Sequence, residues 1–128
     1  MPDVLGNIDS TRVTEALRCA GARFAFLHGS RVAGTARATS DLDVAAFWGE
    51  RPPAVWEVAL PDGVDLLVLD TAPLELAGRV ALHGELLFDD DPPARVRWQA
   101  QTRVVFLDEE ERQRRLDLIY HAGRQRGR

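Results

Sequence analysis

The stretch His28-Gly29-Ser30-Arg31-Val32-Ala33-Gly34-Thr35-Ala36-Arg37-Ala38-Thr39-Ser40-Asp41-Leu42-Asp43-Val44 decides how the rest of the chain is read. It follows the apolar run Phe24–Leu27, which is too short for a helix and apolar on both faces, as expected of a central strand. A Gly-Ser turn comes next, then a short helical turn through Val32 and Ala33 and a loop through Thr39 and Ser40. A second strand follows, Leu42–Phe47, headed by two aspartates. Leu42, Val44 and Ala46 alternate with Asp41, Asp43, Ala45 and Phe47, so the two carboxylates share one face. Their Cβ atoms would lie about 6.6 Å apart at the rise of a strand. Carboxylates brought to ~4 Å at an effective dielectric of ~20 repel by about 4 kcal/mol. A divalent cation is the natural means of neutralising them.

A third carboxylate joins them. Asp65 interrupts Val64-Asp65-Leu66-Leu67-Val68-Leu69, the strongest strand signal in the chain. A charge inside such a run is costly to bury unless it is paired or holds a metal. Asp62 in the Pro61-Asp62-Gly63 turn and Asp70 at the strand end have simpler structural reasons. If the Asp65 strand lies beside that of Asp43, three carboxylates meet on one sheet face. Oxygen ligands without soft partners suit Mg²⁺ or Mn²⁺ and not zinc. Gly29 lets backbone N–H groups approach an anion, Ser30 adds a hydroxyl donor, and the following helical turn aims its positive end at the same place. A phosphate cradle beside a carboxylate metal site describes two-metal phosphoryl or nucleotidyl transfer.

Around this centre the chain reads as one α/β domain over residues 1–128, a mixed sheet flanked by helices. A first helix begins at Ser10 or Thr11, carries Val13, Ala16, Leu17 and Ala20 on one side and ends at Gly21. Trp48–Ala54, with Gly49, Pro52 and Pro53, is loop, and Val55–Leu60 reads as a further strand. Pro73–Leu82 suits a helix with Pro73 in its first turn, and Gly84–Phe88 a short edge strand. C-terminal helices occupy about residues 92–123. The first starts at Pro92-Pro93 with an apolar stripe of Val96, Ala100, Val104 and Leu107, leaving Arg95, Arg97, Gln99 and Arg103 outside it. Asp108 with Glu111 reads as a capping box opening a last helix, in which Glu111 can pair with Arg115. The arginine-rich tail from Arg124 is expected to be disordered.

Composition narrows the function. The net charge of −4 argues against direct nucleic-acid binding. All sixteen cationic residues are arginine, so Schiff-base chemistry and a phosphate-binding lysine are excluded. The single cysteine, Cys19, forms no internal disulfide and no cysteine metal site, and it reads as a small boundary residue. No apolar run approaches the ~20 residues of a membrane helix, and Met1-Pro2-Asp3-Val4 does not open a signal peptide, so a cytoplasmic location without membrane attachment is expected. His83 and His121 have no ligand spacing. His28 reads first as a satisfied core or rim histidine and second as a nucleotide contact.

Gly29-Ser30, ten residues, Asp41-Leu42-Asp43 and a later strand aspartate, Asp65, together resemble the polymerase-β-type nucleotidyltransferase superfamily. The short chain and the Gly-Ser-Arg-x-x-Gly-Thr-Ala run look most like its minimal nucleotidyltransferases, the MNT group. The resemblance spans roughly Phe24 to Phe88. It implies Asp41 and Asp43 as ligands of both metal ions, Asp65 as the third carboxylate, and Gly29 and Ser30 at the triphosphate, with Arg31 or Arg37 near its charge. It further implies ATP as donor and a HEPN-domain ribonuclease toxin as partner, silenced by AMP placed on a tyrosine. Two other functions remain open at this point: nucleotidyl transfer to a small molecule, and an antitoxin that neutralises by binding alone. Trp98, Phe106 and Tyr120 in the C-terminal region serve equally well as a docking surface or as packing on the sheet.

Overall fold

The computed structural model describes residues 4–5, 8–29 and 42–126. Two short strands, β1 (Val4–Leu5) and β2 (Ile8–Asp9), pair antiparallel and lead directly into helix α1 (Ser10–Cys19). Neither strand is signalled by the sequence, since two residues are too few to show alternation. Asp9, not Ser10 or Thr11, caps α1: it is extended (φ −78°, ψ 117°) and its carboxylate accepts from the Thr11 N–H at 2.9 Å. At the other end Gly21 has φ +93°. The Gly21 N–H donates to the Arg18 carbonyl and the Ala22 N–H to that of Leu17, both at 3.0 Å, a Schellman closure.

The main sheet has the order β5-β4-β3-β6, with β3 Phe24–His28, β4 Leu42–Phe47, β5 Val64–Val68 and β6 Glu85–Asp89. β3 runs antiparallel to both β4 and β6, and β4 runs parallel to β5. The central strands are apolar on both sides because both sides are covered. On one side Val13 and Leu17 of α1 meet Ala25, Leu27, Leu42, Val44 and Ala46. On the other, Phe24, Phe26 and Ala45 meet Val80 of helix α2 (Leu74–His83) and Ala94 of helix α3 (Pro92–Arg126). Phe24 is the hub of this second layer, stacked on Phe47 at 4.9 Å and tilted against Trp98 at 5.8 Å.

Three segments depart from their sequence reading. Val55–Leu60 is not a strand; a short 3-10 turn, Val55–Glu57, stands there. Parallel β4 and β5 need a crossover in place of a hairpin, and the Glu57 carboxylate fixes the turn by accepting from the Ala54 N–H at 3.0 Å. The C-terminal region is one helix, with no new start at Asp108. No glycine or proline stands between Pro93 and Gly123, and Glu109–Arg112, Glu111–Arg114 and Glu111–Arg115 pairs bridge successive turns across the expected boundary. The helix extends through Arg126, so Arg124–Arg126, expected to be disordered, are helical.

The apolar stripe of α3 is also displaced. Val96, Val104 and Leu107 are exposed, whereas Ala94 and Phe106 are buried and Trp98 half-buried. The bulky aromatics take the inner side because they fill the space over Phe24, Phe26 and α2. Arg95, Gln99 and Arg103 follow them. Arg95 pairs with Asp89 at 2.9 Å. Gln99 and Arg103 donate to the Ala81 carbonyl at 3.1 and 2.6 Å, satisfying an acceptor at the C-terminal end of α2. Trp98 and Phe106 are therefore packing residues, while Tyr120 is 61% exposed.

Phe106 rests directly on Gly78 of α2: a Cβ there would run into the phenyl ring and lie 2.7 Å from the Phe106 Cβ. Gly78→Ala is expected to lift α3 from α2 and to cost about 1–3 kcal/mol, the range of overpacked cores. Denaturant unfolding checks this as a lowered midpoint.

Candidate active site

The strand directions bring the site together. The end of β3 lies beside the start of antiparallel β4, and the start of β4 beside the start of parallel β5. His28 pairs with Asp43, and Asp43 with Asp65, in register. The three therefore form one row across one end of the sheet, with neighbouring strands about 4.8 Å apart. By alternation they face the layer of Phe24, Phe26, Ala45 and Leu67, beneath α2 and α3.

Asp43 is half-buried and Asp65 exposed. β5 is an edge strand, so Asp65 escapes the burial that its apolar neighbours suggest. Its register with Asp43, and not desolvation, is what marks it. Asp70 has the structural role expected of it: its carboxylate accepts from the N–H groups of Trp48 at 3.0 Å and Gly49 at 2.6 Å, fixing the exit of β4.

Gly29 follows His28 with φ +85°, in the left-handed region. A Cβ at this position would collide with the Asp43 carboxylate, lying 3.1 Å from its Cγ and 3.3 Å from its Cβ. The glycine is thus required twice, by its backbone conformation and by the carboxylate that occupies the space. Ser30, Arg31 and Asp41 lie outside the described residues, as do the helical turn and loop between them.

His28 stands at the end of β3, in register with Asp43. Burial pushes its imidazole below the ordinary histidine range, against the opposing pull of the Asp43 charge and a hydrogen bond to the Val44 backbone. Its Nε2 is buried with no hydrogen-bond partner among the described residues, in contrast to the satisfied histidine that its place in an apolar strand suggests.

Among the described residues no group of three or more His, Cys, Asp or Glu is placed to hold a metal. The described donors are two hard oxygen ligands, Asp43 and Asp65, side by side, and Asp41 would supply a third. A small, hard cation fits this donor set, and Gly29 keeps the space against Asp43 free of side-chain atoms. A separate groove of about 490 Å³ between α2 and α3 is lined by Glu75, Glu109 and Glu110 against one cation, Arg79, a net negative lining that does not suit a triphosphate. No described helix is long and apolar enough to cross a membrane.

Comparison with known proteins bears on the fold and the family. The chain is similar over 88% of its length, with a TM-score of 0.71 and 23% identity, to 99% of a chain in a crystal structure of a toxin–antitoxin complex with AMP-PNP. It is similar over 87% of its length, with a TM-score of 0.65 and 21% identity, to 96% of a chain in the toxin–antitoxin complex MntA–HepT. A third similar structure, at the same TM-score and identity and covering 87% of this chain and 95% of the other, is a tri-AMPylated Shewanella oneidensis HEPN toxin in complex with an MNT antitoxin. At such identities the likeness is one of fold. No curated protein matches the sequence. The family model described as polymerase beta, nucleotidyltransferase matches residues 14–93, which include β3, β4, β5 and every candidate site residue. The chain belongs to the polymerase-β nucleotidyltransferase family.

Proposed function

We propose that this chain transfers AMP from ATP to a tyrosine of a partner HEPN-domain ribonuclease toxin, acting as that toxin's antitoxin. The observation that carries the reading is the row of Asp43 and Asp65 with Gly29 cleared beneath Asp43. Support comes from fold neighbours that hold AMP-PNP in one case and an AMPylated HEPN toxin in another. Asp41, Asp43 and Asp65 would hold Mg²⁺, with Mn²⁺ as its substitute. Bound there, the cation would neutralise the carboxylates and the charge building on the triphosphate.

The chain's own residues do the rest. Gly29 and Ser30, with Arg31, cradle the triphosphate so that its α-phosphorus faces the carboxylates. Asp65, exposed on the edge strand, is the carboxylate a bulky protein acceptor can reach. It takes the proton of the tyrosine hydroxyl as that oxygen bonds to the α-phosphorus, and the bond to pyrophosphate breaks. Radiolabel decides the bond. With Mg²⁺ and the partner toxin, ATP labelled at the α-phosphate should label the toxin, and ATP labelled at the γ-phosphate should not. Label from the γ-phosphate would mean phosphoryl transfer and sink the reading. Label on neither would leave the toxin without a modification by this chain, with the same outcome.

A further inference from the structure

We propose that Tyr120 is itself an acceptor of AMP, modified in trans by the carboxylate site of a second copy of this chain. The proposal rests on the tyrosine-transfer reading above and adds a modification site to it. Tyr120 is the only tyrosine of the chain, so the chain carries a single phenol of the kind that reading requires. It is 61% exposed, in the part of α3 where every residue from 112 to 123 is exposed. Its ring lies edge-on to His121, with centroids 5.9 Å apart. Gly123, the neighbour of Tyr120 on the next turn, meets nothing within 4 Å, so the helix is open on that side.

The fold keeps Tyr120 from its own site and leaves it free to enter another. Trp98 anchors α3 on Phe24 and Phe26, with ring centroids 5.8 and 5.7 Å away. The row of His28 and Asp43 stands only about 6.6 Å beyond Phe26 along β3. Tyr120, by contrast, lies about six turns past Trp98, about 33 Å along the helix. No glycine or proline stands between Pro93 and Gly123 to fold the helix back. Transfer within one chain is therefore out of reach, whereas the exposed length of α3 carries the phenol to a second copy while the two domains stay apart. On the receiving side, Asp65 is exposed on the edge strand β5. The Tyr120 oxygen bonds to the α-phosphorus of ATP, the bond from that phosphorus to the bridging oxygen breaks, pyrophosphate leaves, and the phenolic proton passes to Asp65 of the receiving copy.

Intact mass spectrometry of the chain incubated alone with Mg²⁺ and ATP tests this. Wild type should gain the mass of AMP. Tyr120→Phe keeps the ring, loses only the hydroxyl at an exposed position, and should gain none. A mixture separates the two roles: Tyr120→Phe has an intact site and no acceptor, and Asp41→Asn/Asp43→Asn has the acceptor without the carboxylates. In the mixture the added mass should appear on the Asp41→Asn/Asp43→Asn chain alone. Doubling the concentration of wild type should about double the fraction modified per unit time, as a step between two molecules requires. AMP on Tyr120→Phe, or no transfer in the mixture while wild type is modified, overturns the proposal. The partner toxin, added to the same wild-type preparation, keeps this apart from the underlying reading. A modified toxin beside an unmodified chain overturns the Tyr120 assignment alone, whereas no modification of either protein removes nucleotidyl transfer and the assignment with it.

Discussion

The double substitution Asp41→Asn with Asp43→Asn should lower AMP transfer by at least ~10³-fold while leaving the fold intact. Loss of a single preorganised charge-stabilising group in an active site commonly costs 10²–10³ in rate, and here two carboxylates of one site go together. Asparagine keeps the shape of each side chain but removes the charge that would hold a divalent cation. Asp43 lies near the start of β4 and outside both apolar clusters, and asparagine keeps its volume, so the core packing is untouched. Relief of the repulsion between neighbouring carboxylates predicts a melting temperature equal to or above wild type in the absence of metal. Thermal unfolding and a transfer assay on the same preparation check both halves. Transfer near the wild-type rate would remove these residues from the metal site, and a collapsed melting temperature would make them structural.

The second large effect comes from one methyl group. Gly29→Ala forces a Cβ against the Asp43 carboxylate and holds an L-residue at φ +85°. The backbone strain costs about 1–2 kcal/mol. The displaced carboxylate costs more in function, since a ~1 Å misplacement can lower a rate by ~10². Transfer should therefore fall by about 100-fold or more, with only a modest drop in melting temperature. Gly78→Ala is the counterpart: its clash with Phe106 lies between α2 and α3, away from the carboxylate row, so stability falls and transfer by the remaining folded protein persists. Alike behaviour of the two variants would mean that Gly29 matters only for folding.

The strands were readable because their signals are local. Leu42–Phe47 alternates cleanly in sequence, and the structure places Asp43 and Ala45 on the face opposite Val44 and Ala46, as alternation requires. The neighbourhood of β4 and β5 could only be supposed from the sequence, yet it is what brings Asp65 to Asp43. The desolvation argument that singled out Asp65 fails, because the run around it reads as a buried strand and is in fact a sheet edge. Helix α3 misled for a related reason. Val96, Ala100, Val104 and Leu107 keep perfect helical spacing, but Trp98 and Phe106 have the greater apolar area, and tertiary packing chose them. Val55–Leu60 carries strand-forming residues, and the crossover between parallel strands overrides them. The register that sets His28 beside Asp43 could not be read from a lone histidine at the end of an apolar strand.

The central claim is that the product of this chain's chemistry is an AMP-modified protein. Intact mass spectrometry of the partner HEPN toxin after co-expression tests it most directly, with wild type beside the Asp41→Asn/Asp43→Asn variant. The account predicts a toxin heavier by one or more AMP units with wild type and of unmodified mass with the variant. A toxin held in a stable complex yet of unmodified mass in both samples would contradict it, and would make binding alone the means of neutralisation.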